Sequence, residues 1–459
     1  MRIINALLII FLGLSFTGCT KDKFDVERPN VLVLLLDTLR ADHLSGYGYE
    51  RETSPNLDAF AAENLKFEYA LTAAPWTPAS VATILTGLYP AAHGMMPPND
   101  REIAKAVSMR LNPNLETMPE ILKKYGYKTA AVSPNPWISE SFGYTQGFDQ
   151  FFYIHRQVAS EIVESGEEII TKWLDESKKP DQKLDPFFLY LHFLDPHDPY
   201  DPPVPYKEKF KGPLTKSPFN YDDKMLEHIE RYDGEINYLD NELGKLFTFL
   251  KEKNLYEDLF IIIVADHGEQ FMEHGDQRHG YKLFNEETHV PLLIRTGRAR
   301  DAGRVVNETV STVDILPTLL KRVNVSIPST LPGVQLFDED ALKIRSGVMS
   351  EIRRIYDMKA VTDNQGQRLV MQTSYSPSKH DLKKSLEAWH SPEIVGLFDT
   401  HSDYACLSKV TNPALETRLK GKFDEIYTNA LNNTVAPVSS GSQLKDETLD
   451  QLKSLGYLN

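Results

Sequence analysis

The sequence predicts an α/β fold with a central parallel or mixed sheet and a smaller C-terminal α+β unit. Two observations support this prediction. Continuous apolar runs of strand length alternate with segments of helical periodicity through most of the 459 residues, a pattern typical of a sheet covered by helices. After about residue 335 the composition changes, and a hairpin pattern appears there.

Composition and charge limit the classes of protein. The chain is 41% hydrophobic and contains 22 Phe, 21 Tyr and 4 Trp, which is enough apolar material for large folded cores. Its length exceeds one ordinary core, so we expect two domains or one large unit with an appendage. The formal net charge is −15, which argues against nucleic acid as a partner.

The N-terminus predicts a signal peptide of the lipoprotein type over residues 1–18. An apolar run from Ile3 to Phe16 ends at Thr17-Gly18-Cys19, and it is shorter than the roughly 20 residues that span a bilayer. Cleavage before Cys19 would leave a cysteine for lipidation; a plain signal peptide with an incidental cysteine is the alternative. Only Cys406 would then remain besides Cys19, so no intramolecular disulfide is expected.

A lipidated Cys19 predicts a protein of the bacterial cell envelope, anchored to a membrane by lipid. Thr20 at the next position, instead of Asp, favours the outer membrane, with the protein facing the periplasm or the cell surface. Residues 19–28 are polar and predict a linker.

The first strong element is the apolar run 31–36, which predicts a buried parallel strand that ends at Asp37. Residues 225–253 repeat apolar side chains at helical spacing and predict a long helix. Residues 359–371 predict a hairpin around a turn at 363–366. We therefore expect a main domain over 29–335, a C-terminal α+β subdomain over 336–435 and a tail over 436–459. Further strands are predicted at 129–132, 187–193, 259–265 and 291–294.

Polar side chains follow the predicted strands or open the predicted helices. Asp37 follows the strand predicted at 31–36, and Asp266 and His267 follow the strand predicted at 259–265. Thr77 precedes a helical run that ends at Gly87. Chemistry collects where parallel strands end, and a helix start attracts anions. Each aspartate, and Thr77 as well, could instead be a helix cap.

Several stretches together resemble the sulfatase family of the alkaline phosphatase superfamily, over nearly the whole mature chain. The resemblance implies a three-layer alkaline phosphatase-like sandwich with a central mixed sheet and a smaller C-terminal α+β subdomain. The stretches are NVLVLLLDTLRADHLSGYGY, SPNLDAFAAENLKFEYA, TPASVATILTGLYPAAHG, HFLDPHDPY, YDGEINYLDNELGKL, ADHGEQFMEHG, FNEETHVPLLI, VDILPTLL, GLFDTHSDYACLSKV and LDQLKSLGYLN.

The resemblance implies that Asp37, Asp266 and His267 are metal ligands, and that Thr77 is both the nucleophile and a further ligand. Carboxylates with one imidazole suit Zn²⁺ or Mn²⁺ better than Ca²⁺. A bound divalent ion would lower the pKa of the threonine hydroxyl, which is otherwise a poor nucleophile. The number of metal ions is left open.

The resemblance also implies residues that contact the substrate. His197 matches a position that contacts the transferred group, and His279 corresponds to a substrate-contacting lysine, so both are predicted to be catalytic. Asn135 falls in a substrate-binding stretch, and His274 or Lys282 could share the role of His279. A loop histidine bonded to backbone is the alternative for His197.

Three other polar residues are assigned supporting or structural roles. Glu269 is expected to support the metal ligands from behind. His93 fits a structural role, and His192 alternates with apolar residues in a predicted strand, which predicts a hydrogen-bonded core histidine.

Three departures from the sulfatase pattern bear on the chemistry. Thr77 occupies the position of the cysteine or serine that becomes formylglycine, and the methyl group on its Cβ blocks conversion to an aldehyde. Val81 replaces the motif arginine, and Thr38 replaces a second aspartate. A threonine nucleophile is similar to that of the phosphodiesterases, lipoteichoic acid synthases and phosphoethanolamine transferases of the same superfamily.

These features predict a metal-dependent, sulfatase-family hydrolase that cleaves phosphate or sulfate esters through Thr77. The first alternative is a phosphotransferase, of phosphoethanolamine or phosphoglycerol type, that acts on envelope glycans or lipids. The second is a lipoprotein that binds an anion without catalysis. The expected partners are an anionic ester, which an envelope glycan or lipid could carry, and the membrane through the lipid anchor.

Overall fold

The computed structural model describes residues 28–96, 109–155, 158–177, 185–298, 301–354, 357–373, 392–435, 448 and 450–452. The predicted signal peptide, Cys19, the predicted linker up to residue 27 and most of the predicted tail lie outside the described residues.

Within these ranges, nine strands form a central mixed sheet. The strand order is β10-β2-β9-β6-β1-β5-β3-β4, with β11 also paired to β2. Neighbouring strands run parallel except at β9, which is antiparallel to β2 and β6. The strands are β1 Val31–Leu36, β2 Leu65–Leu71, β3 Lys128–Ser133, β4 Gln150–Tyr153, β5 Phe187–Phe193, β6 Phe260–Ala265, β9 His289–Arg295, β10 Val305–Val306 and β11 Val310–Ser311.

Two smaller sheets accompany the central one. A two-stranded hairpin consists of β7 Gln270–Phe271 and β8 Gln277–Arg278. The other is an antiparallel sheet with the order β12-β13-β14-β15. Its strands are β12 Val348–Arg353, β13 Asp357–Thr362, β14 Gln367–Thr373 and β15 Glu393–Asp399.

The described helices vary from single turns to thirty residues, and none is long and apolar enough to cross a membrane. The α-helices are α1 Pro55–Glu63, α2 Thr77–Thr86, α3 Pro90–His93, α4 Met118–Lys124, α5 Ala159–Ser177, α6 Asp223–Glu252, α7 Asn285–Thr288, α8 Ile315–Arg322, α9 Glu339–Ile344 and α10 Pro413–Asn432. The 3₁₀-helices are Ala41–His43, Ser45–Tyr47, Glu140–Phe142, Tyr206–Glu208, Tyr256–Asp258 and Thr312–Asp314.

Strand β1 lies at the centre of the sheet, and all six of its side chains are buried. A strand whose side chains alternate between the two faces is fully buried only where both faces are covered. The predicted α/β class with a mixed central sheet is confirmed, and the fold is the three-layer, alkaline phosphatase-like one.

Element boundaries follow the sequence closely. Strands β1 and β5 have the predicted bounds, whereas α6 begins two residues before the predicted start at 225. The reason is a cap, because Asp222 accepts a hydrogen bond from the Met225 amide at 2.8 Å. Strand β9 is longer than predicted because His289 and Val290 pair with β2.

The C-terminal sheet contains the predicted hairpin, formed by β13 and β14. Gly366 closes its turn with a φ of 75°, and Asp363 accepts the amide of Gln367 at 3.0 Å. Helix α10 packs Leu419 and Phe423 against this sheet in a second hydrophobic core. The domain boundary at 335 stays a prediction.

Candidate active site

Four neighbouring parallel strands end at the same edge of the central sheet, in the order β6-β1-β5-β3. Leu36 at the end of β1 lies opposite Ala265 of β6, so Asp37 and Asp266 leave the sheet side by side. The end of β5 carries His192, and Asn135 follows β3. Local sequence places polar residues after strands, and the parallel pairing brings them together.

Asp37, Asp266 and His267 form a buried cluster that could hold a metal ion. All three are fully buried, and one ligand atom from each lies within 4.8 Å of the others. Asp37 Oδ1 and Asp266 Oδ2 have no hydrogen-bond partner in the described structure. Buried carboxylate oxygens without partners are costly, so this pair of orphaned oxygens fits a bound cation.

Burial and the charge of Asp37 raise the pKa of Asp266. Burial also acts to raise the pKa of Asp37, but the hydrogen bond from His192 and the electrostatic attraction of His192, His197 and His267 together outweigh it and lower that pKa to about 2. Asp37 is therefore held as a carboxylate, while a second negative charge at Asp266 is disfavoured unless a positive charge lies between them.

The orientation of His267 fits a metal ligand. Its Nδ1 donates to the Gly268 carbonyl oxygen at 2.9 Å, so Nε2 is the nitrogen that can act as a ligand. Nε2 lies 3.2 Å from Thr77 Oγ1 and 3.4 Å from Asp266 Oδ2. Two ligands of one tetrahedral ion with bonds of about 2.1 Å lie about 3.4 Å apart. The donor set, oxygens with one imidazole nitrogen, is suited to Zn²⁺ or Mn²⁺.

Thr77 is the first residue of α2, at the helix end where backbone amides face outward. The helix is fixed to the site by Ser80, whose hydroxyl donates to the Asp266 carbonyl oxygen at 2.7 Å. Thr77 Oγ1 thus lies beside both the cluster and a helix N-terminus, where an anionic group is favoured.

Asp37 is supported by two donors on its second oxygen. Asn135 Nδ2 donates to Oδ2 at 2.8 Å, and His192 Nε2 donates to the same atom at 2.9 Å. Asn135 therefore contacts a candidate metal ligand, and its role in substrate binding stays a prediction. His192 is buried and hydrogen-bonded as expected, but the sequence did not indicate that its partner is Asp37.

The structure brings His197 and His279 to the same site. The ring centroid of His279 lies 4.3 Å from that of His267 and 5.2 Å from that of His197. His197 Nδ1 donates to the Asp198 carbonyl oxygen at 2.6 Å. Burial lowers the pKa of both His197 and His279, so both rings are neutral at pH 7 before an anion binds.

Glu269 supports the histidines from behind. Its Oε1 lies 3.3 Å from His279 Nδ1, and its Oε2 accepts a hydrogen bond from Tyr200 at 3.0 Å. Burial raises the pKa of Glu269. Arg40, which the sequence did not indicate, donates from Nη1 to the Glu269 carbonyl oxygen at 2.9 Å and to Glu273 at 2.5 Å. It fixes the loop between β6 and β7.

His274 and Lys282 are engaged with other neighbours. His274 Nδ1 lies 2.5 Å from Glu286 Oε1, and its ring stacks on Phe284 with centroids 3.9 Å apart. Lys282 Nζ lies 3.3 Å from Asp276 Oδ2. A substrate-binding role for either residue stays a prediction.

The two substituted motif positions have other roles. Thr38 donates from Oγ1 to the Pro196 carbonyl oxygen at 2.8 Å and from its amide to Asp266 Oδ1 at 3.1 Å. Its φ of 55° is unusual for a β-branched residue. Because Pro196 precedes His197, the hydroxyl of Thr38 fixes the loop that carries His197. Val81 is buried in the core.

The model of the sulfatase family matches residues 29–325, which include the whole cluster and both histidines. The chain belongs to the sulfatase family. It is a sulfatase-like ester hydrolase of the alkaline phosphatase superfamily, whose sulfatases depend on divalent metal ions. An arylsulfatase of Clostridium perfringens is 27% identical over 377 residues, which cover 68% of this chain and 78% of that protein.

Solved structures share the fold of this sulfatase-family chain. One of them, in complex with its substrate D-glucosamine-2-N,6-O-disulfate, has a TM-score of 0.68 and 17% identity, covering 88% of this chain and 99% of the other. A phosphonate monoester hydrolase of Silicibacter pomeroyi has a TM-score of 0.64 and 18% identity, covering 89% and 96%. The same fold therefore occurs in proteins named for sulfur and for phosphorus esters.

Proposed function

We propose that the chain is a metal-dependent hydrolase of phosphate esters, with Thr77 as the nucleophile. One observation is central to this proposal. Thr77 is the first residue of α2, and its Oγ1 lies 3.2 Å from His267 Nε2, in the site where two buried carboxylates each have an oxygen without a hydrogen-bond partner in the described structure. The resemblance of the motif around Thr77 to a nucleophile position supports the same assignment.

Asp37, Thr77, Asp266 and His267 are the residues that would hold the ion. When bound, the ion supplies charge that lowers the pKa of the Thr77 hydroxyl and polarises an ester oxygen. His192 and Asn135 keep Asp37 oriented, and Glu269 orients His279.

The reaction proceeds by in-line displacement. The Thr77 proton is lost to water, the Oγ–P bond forms, and the bond from phosphorus to the leaving oxygen breaks. The anionic ester raises the proton affinity of His197 and His279, so one of them takes up a proton from water, where the Thr77 proton was released, and passes it to the leaving oxygen. Water next attacks the phosphothreonine, and Thr77 regains a proton as phosphate leaves.

The nature of the nucleophile favours phosphorus over sulfur. Thr77 cannot become an aldehyde, because its Cβ carries a methyl group, so the formylglycine chemistry of sulfatases is closed to it. A phosphonate monoester hydrolase with the same fold supports attack on phosphorus.

Sulfate-ester hydrolysis, including that of a sulfated glycan, is the second candidate function. The family match, the arylsulfatase relative and the structure bound to a disulfated glucosamine favour it.

We also propose that the protein acts in the bacterial cell envelope, anchored by lipid at Cys19, where an envelope glycan or lipid would carry the ester. The apolar run before Cys19 supports this location. An alcohol in place of water as acceptor would make the same site a phosphotransferase. A non-catalytic anion-binding protein is disfavoured, because such a protein has no need of the orphaned carboxylate oxygens.

The test compares turnover by the detergent-purified chain supplied with Zn²⁺ or Mn²⁺. The substrates are nitrophenyl phosphate, bis-nitrophenyl phosphate and nitrophenyl sulfate. We expect Thr77→Ala to lower kcat for the phosphate esters roughly 10³-fold or more, while Thr77→Ser retains activity. Thr86→Ala is the matched control, because Thr86 lies in the same helix and its hydroxyl donates to the Ala82 carbonyl oxygen.

A trapped phosphoenzyme should carry its label on Thr77 in mass spectrometry. Label on another residue would reassign the nucleophile. Sulfate turnover above phosphate turnover would support the second candidate instead. Metal binding without turnover of any ester would favour the transferase.

A further inference from the structure

The loop that carries His279 is bound by one buried carboxylate. Glu287, in the short helix α7, is fully buried. Its Oε2 accepts the amides of Gly280 at 2.5 Å and Tyr281 at 3.2 Å, and its Oε1 accepts the amide of Lys282 at 2.7 Å. These three residues directly follow His279. The backbone after His279 is therefore fixed by a single side chain.

The same residue also holds the segment of His267. The Glu287 carbonyl oxygen accepts the Gly268 amide at 2.9 Å, and Gly268 directly follows His267. A Cβ on Gly268 would lie 2.1 Å from the Glu286 carbonyl oxygen, so this close approach of two backbone segments requires glycine. Glu287 thus joins the segment of a candidate metal ligand to the loop of His279.

The groups bound to the Glu287 carboxylate are hydrogen-bond donors. Besides the three amides, Gln270 Nε2 donates to Oε1. Burial and the charge of Glu286 raise the pKa of Glu287 to about 8, and the three amides limit this rise. The ionised carboxylate is the form that these donors bind, because it accepts on both oxygens and donates on neither. A neutral amide at this position would turn a donor toward other donors.

We propose that Glu287 is a positioning residue, which fixes His279 beside His267 so that His279 protonates the leaving oxygen. The ring centroids of the two histidines lie 4.3 Å apart. The inference rests on the proposed function, and it assigns the protonation step to His279. A general acid must lie within hydrogen-bond distance of the oxygen that it protonates, and a displacement of about 1 Å can cost about 100-fold in rate. The contacts of Glu287 prevent such a displacement.

The experiment compares two substrates that differ in their need for an acid. Nitrophenolate leaves readily without a proton, whereas phenolate leaves slowly unless it is protonated. Glu287→Gln keeps the shape of the side chain but replaces an accepting oxygen by a donating nitrogen. We expect this variant to lower kcat for phenyl phosphate about tenfold more than kcat for nitrophenyl phosphate, with both KM values within about twofold of the original. His279→Ala should lower the same ratio of kcat values at least as far.

Glu286→Gln is the matched control. It makes the same change at the neighbouring buried residue of α7, whose carboxylate contacts His274. We expect it to leave the ratio of the two kcat values as it is in the unsubstituted protein. Glu287→Asp keeps the charge but is one methylene shorter, so an intermediate ratio is expected. This variant decides the question if Glu287→Gln does not fold.

An equal fall in kcat for both esters would overturn the inference, because a general loss of structure or of metal affects both alike, and so would an unchanged ratio. A measurement without turnover separates the inference from the proposed function. In NMR spectra of histidine-labelled protein, Glu287→Gln should shift the side-chain signal of His279, identified by its loss in His279→Ala, and leave that of His93 in place. Turnover of neither ester by the unsubstituted protein contradicts the proposed function alone. The positioning of His279 by Glu287 then stands if the His279 signal shifts, and fails if it does not.

Discussion

The two oxygens of Asp37 have different surroundings, and this difference determines how the residue can act. Oδ2 accepts hydrogen bonds from His192 and Asn135, whereas Oδ1 is buried and has no hydrogen-bond partner among the described residues. Donors on one oxygen fix the rotamer and keep the group ionised, so that the other oxygen is available as a ligand. His192 therefore controls the cluster without belonging to it.

We expect His192→Ala to weaken metal binding about 10–100-fold, because Asp37 loses a donor that holds its orientation and charge. A titration against a competing chelator measures this affinity. His93→Ala is the control, since His93 is equally buried but contacts Thr83 and the Met95 amide. Unchanged affinity in His192→Ala, or an equal loss in His93→Ala, would contradict the assignment.

Local sequence signals predicted the central residues of the candidate site and the supporting position of Glu269, but not the contacts that His192 and Arg40 make there. Asp37, Asp266 and Thr77 each follow a strand or open a helix, so their positions could be inferred without knowledge of distant partners. The contact between His192 and Asp37 joins residues 155 positions apart, and that between Arg40 and Glu269 joins residues 229 positions apart. Only the order of strands in the sheet could reveal such pairs.

At the scale of single elements, α6 has an unusual share of buried carboxyl groups, and most of them anchor other elements. Asp233 contacts His43 at 2.8 Å and Arg51 at 2.7 Å. Asp240 accepts amides from the first turn of α1. The helical periodicity of residues 225–253 predicted this element and its apolar face. The periodicity could not show which acids are buried, because their partners come from other parts of the chain.

Among the carboxyl groups of α6, Glu235 has a pKa that burial raises further than that of Asp240, so its burial makes stability depend on pH. It accepts the Asp201 amide at 2.7 Å, and burial together with the charge of Asp195 raises its pKa from 4.5 to about 9. The folded protein holds this proton up to a higher pH than the unfolded chain does. The free energy of unfolding therefore falls as the pH rises from the ordinary pKa of 4.5 towards the raised value of about 9.

We expect Glu235→Gln to reduce this fall in the free energy of unfolding, making the variant more stable than the unsubstituted protein at pH 9 by roughly 1–3 kcal/mol. Urea unfolding at pH 6 and at pH 9 measures the difference. Glu242→Gln removes the same charge from the same helix but breaks an ion pair with Lys245, so the loss of stability between pH 6 and 9 should persist in it. A Glu235→Gln protein with an unchanged pH dependence would rule out this explanation.

At the scale of the whole molecule, the candidate metal cluster connects the elements at the centre of the fold. Asp37 and Asp266 follow adjacent central strands, and Thr77 opens the buried helix α2. The same region carries an energetic cost, because two buried carboxylates lie together with orphaned oxygens. A ligand that binds the folded state alone stabilises it by about 2.7 kcal/mol at 100 times its Kd, and here it would also relieve that repulsion.

Chelation should therefore lower the Tm of the unsubstituted protein, and added Zn²⁺ or Mn²⁺ should restore it. Asp266→Asn removes one of the two repelling charges together with a ligand, so we expect this variant to have a higher Tm than the unsubstituted protein when both are metal-free, and to gain nothing from metal. Asp240→Asn is the control. It alters a buried carboxyl group of α6 that binds the first turn of α1 and does not belong to the cluster, so this variant should keep the full response to metal. Calorimetry of the three proteins with and without chelator measures these shifts. Equal responses to metal in all three would mean that the ion binds elsewhere, whereas loss of the response in Asp266→Asn alone would locate it at the strand ends.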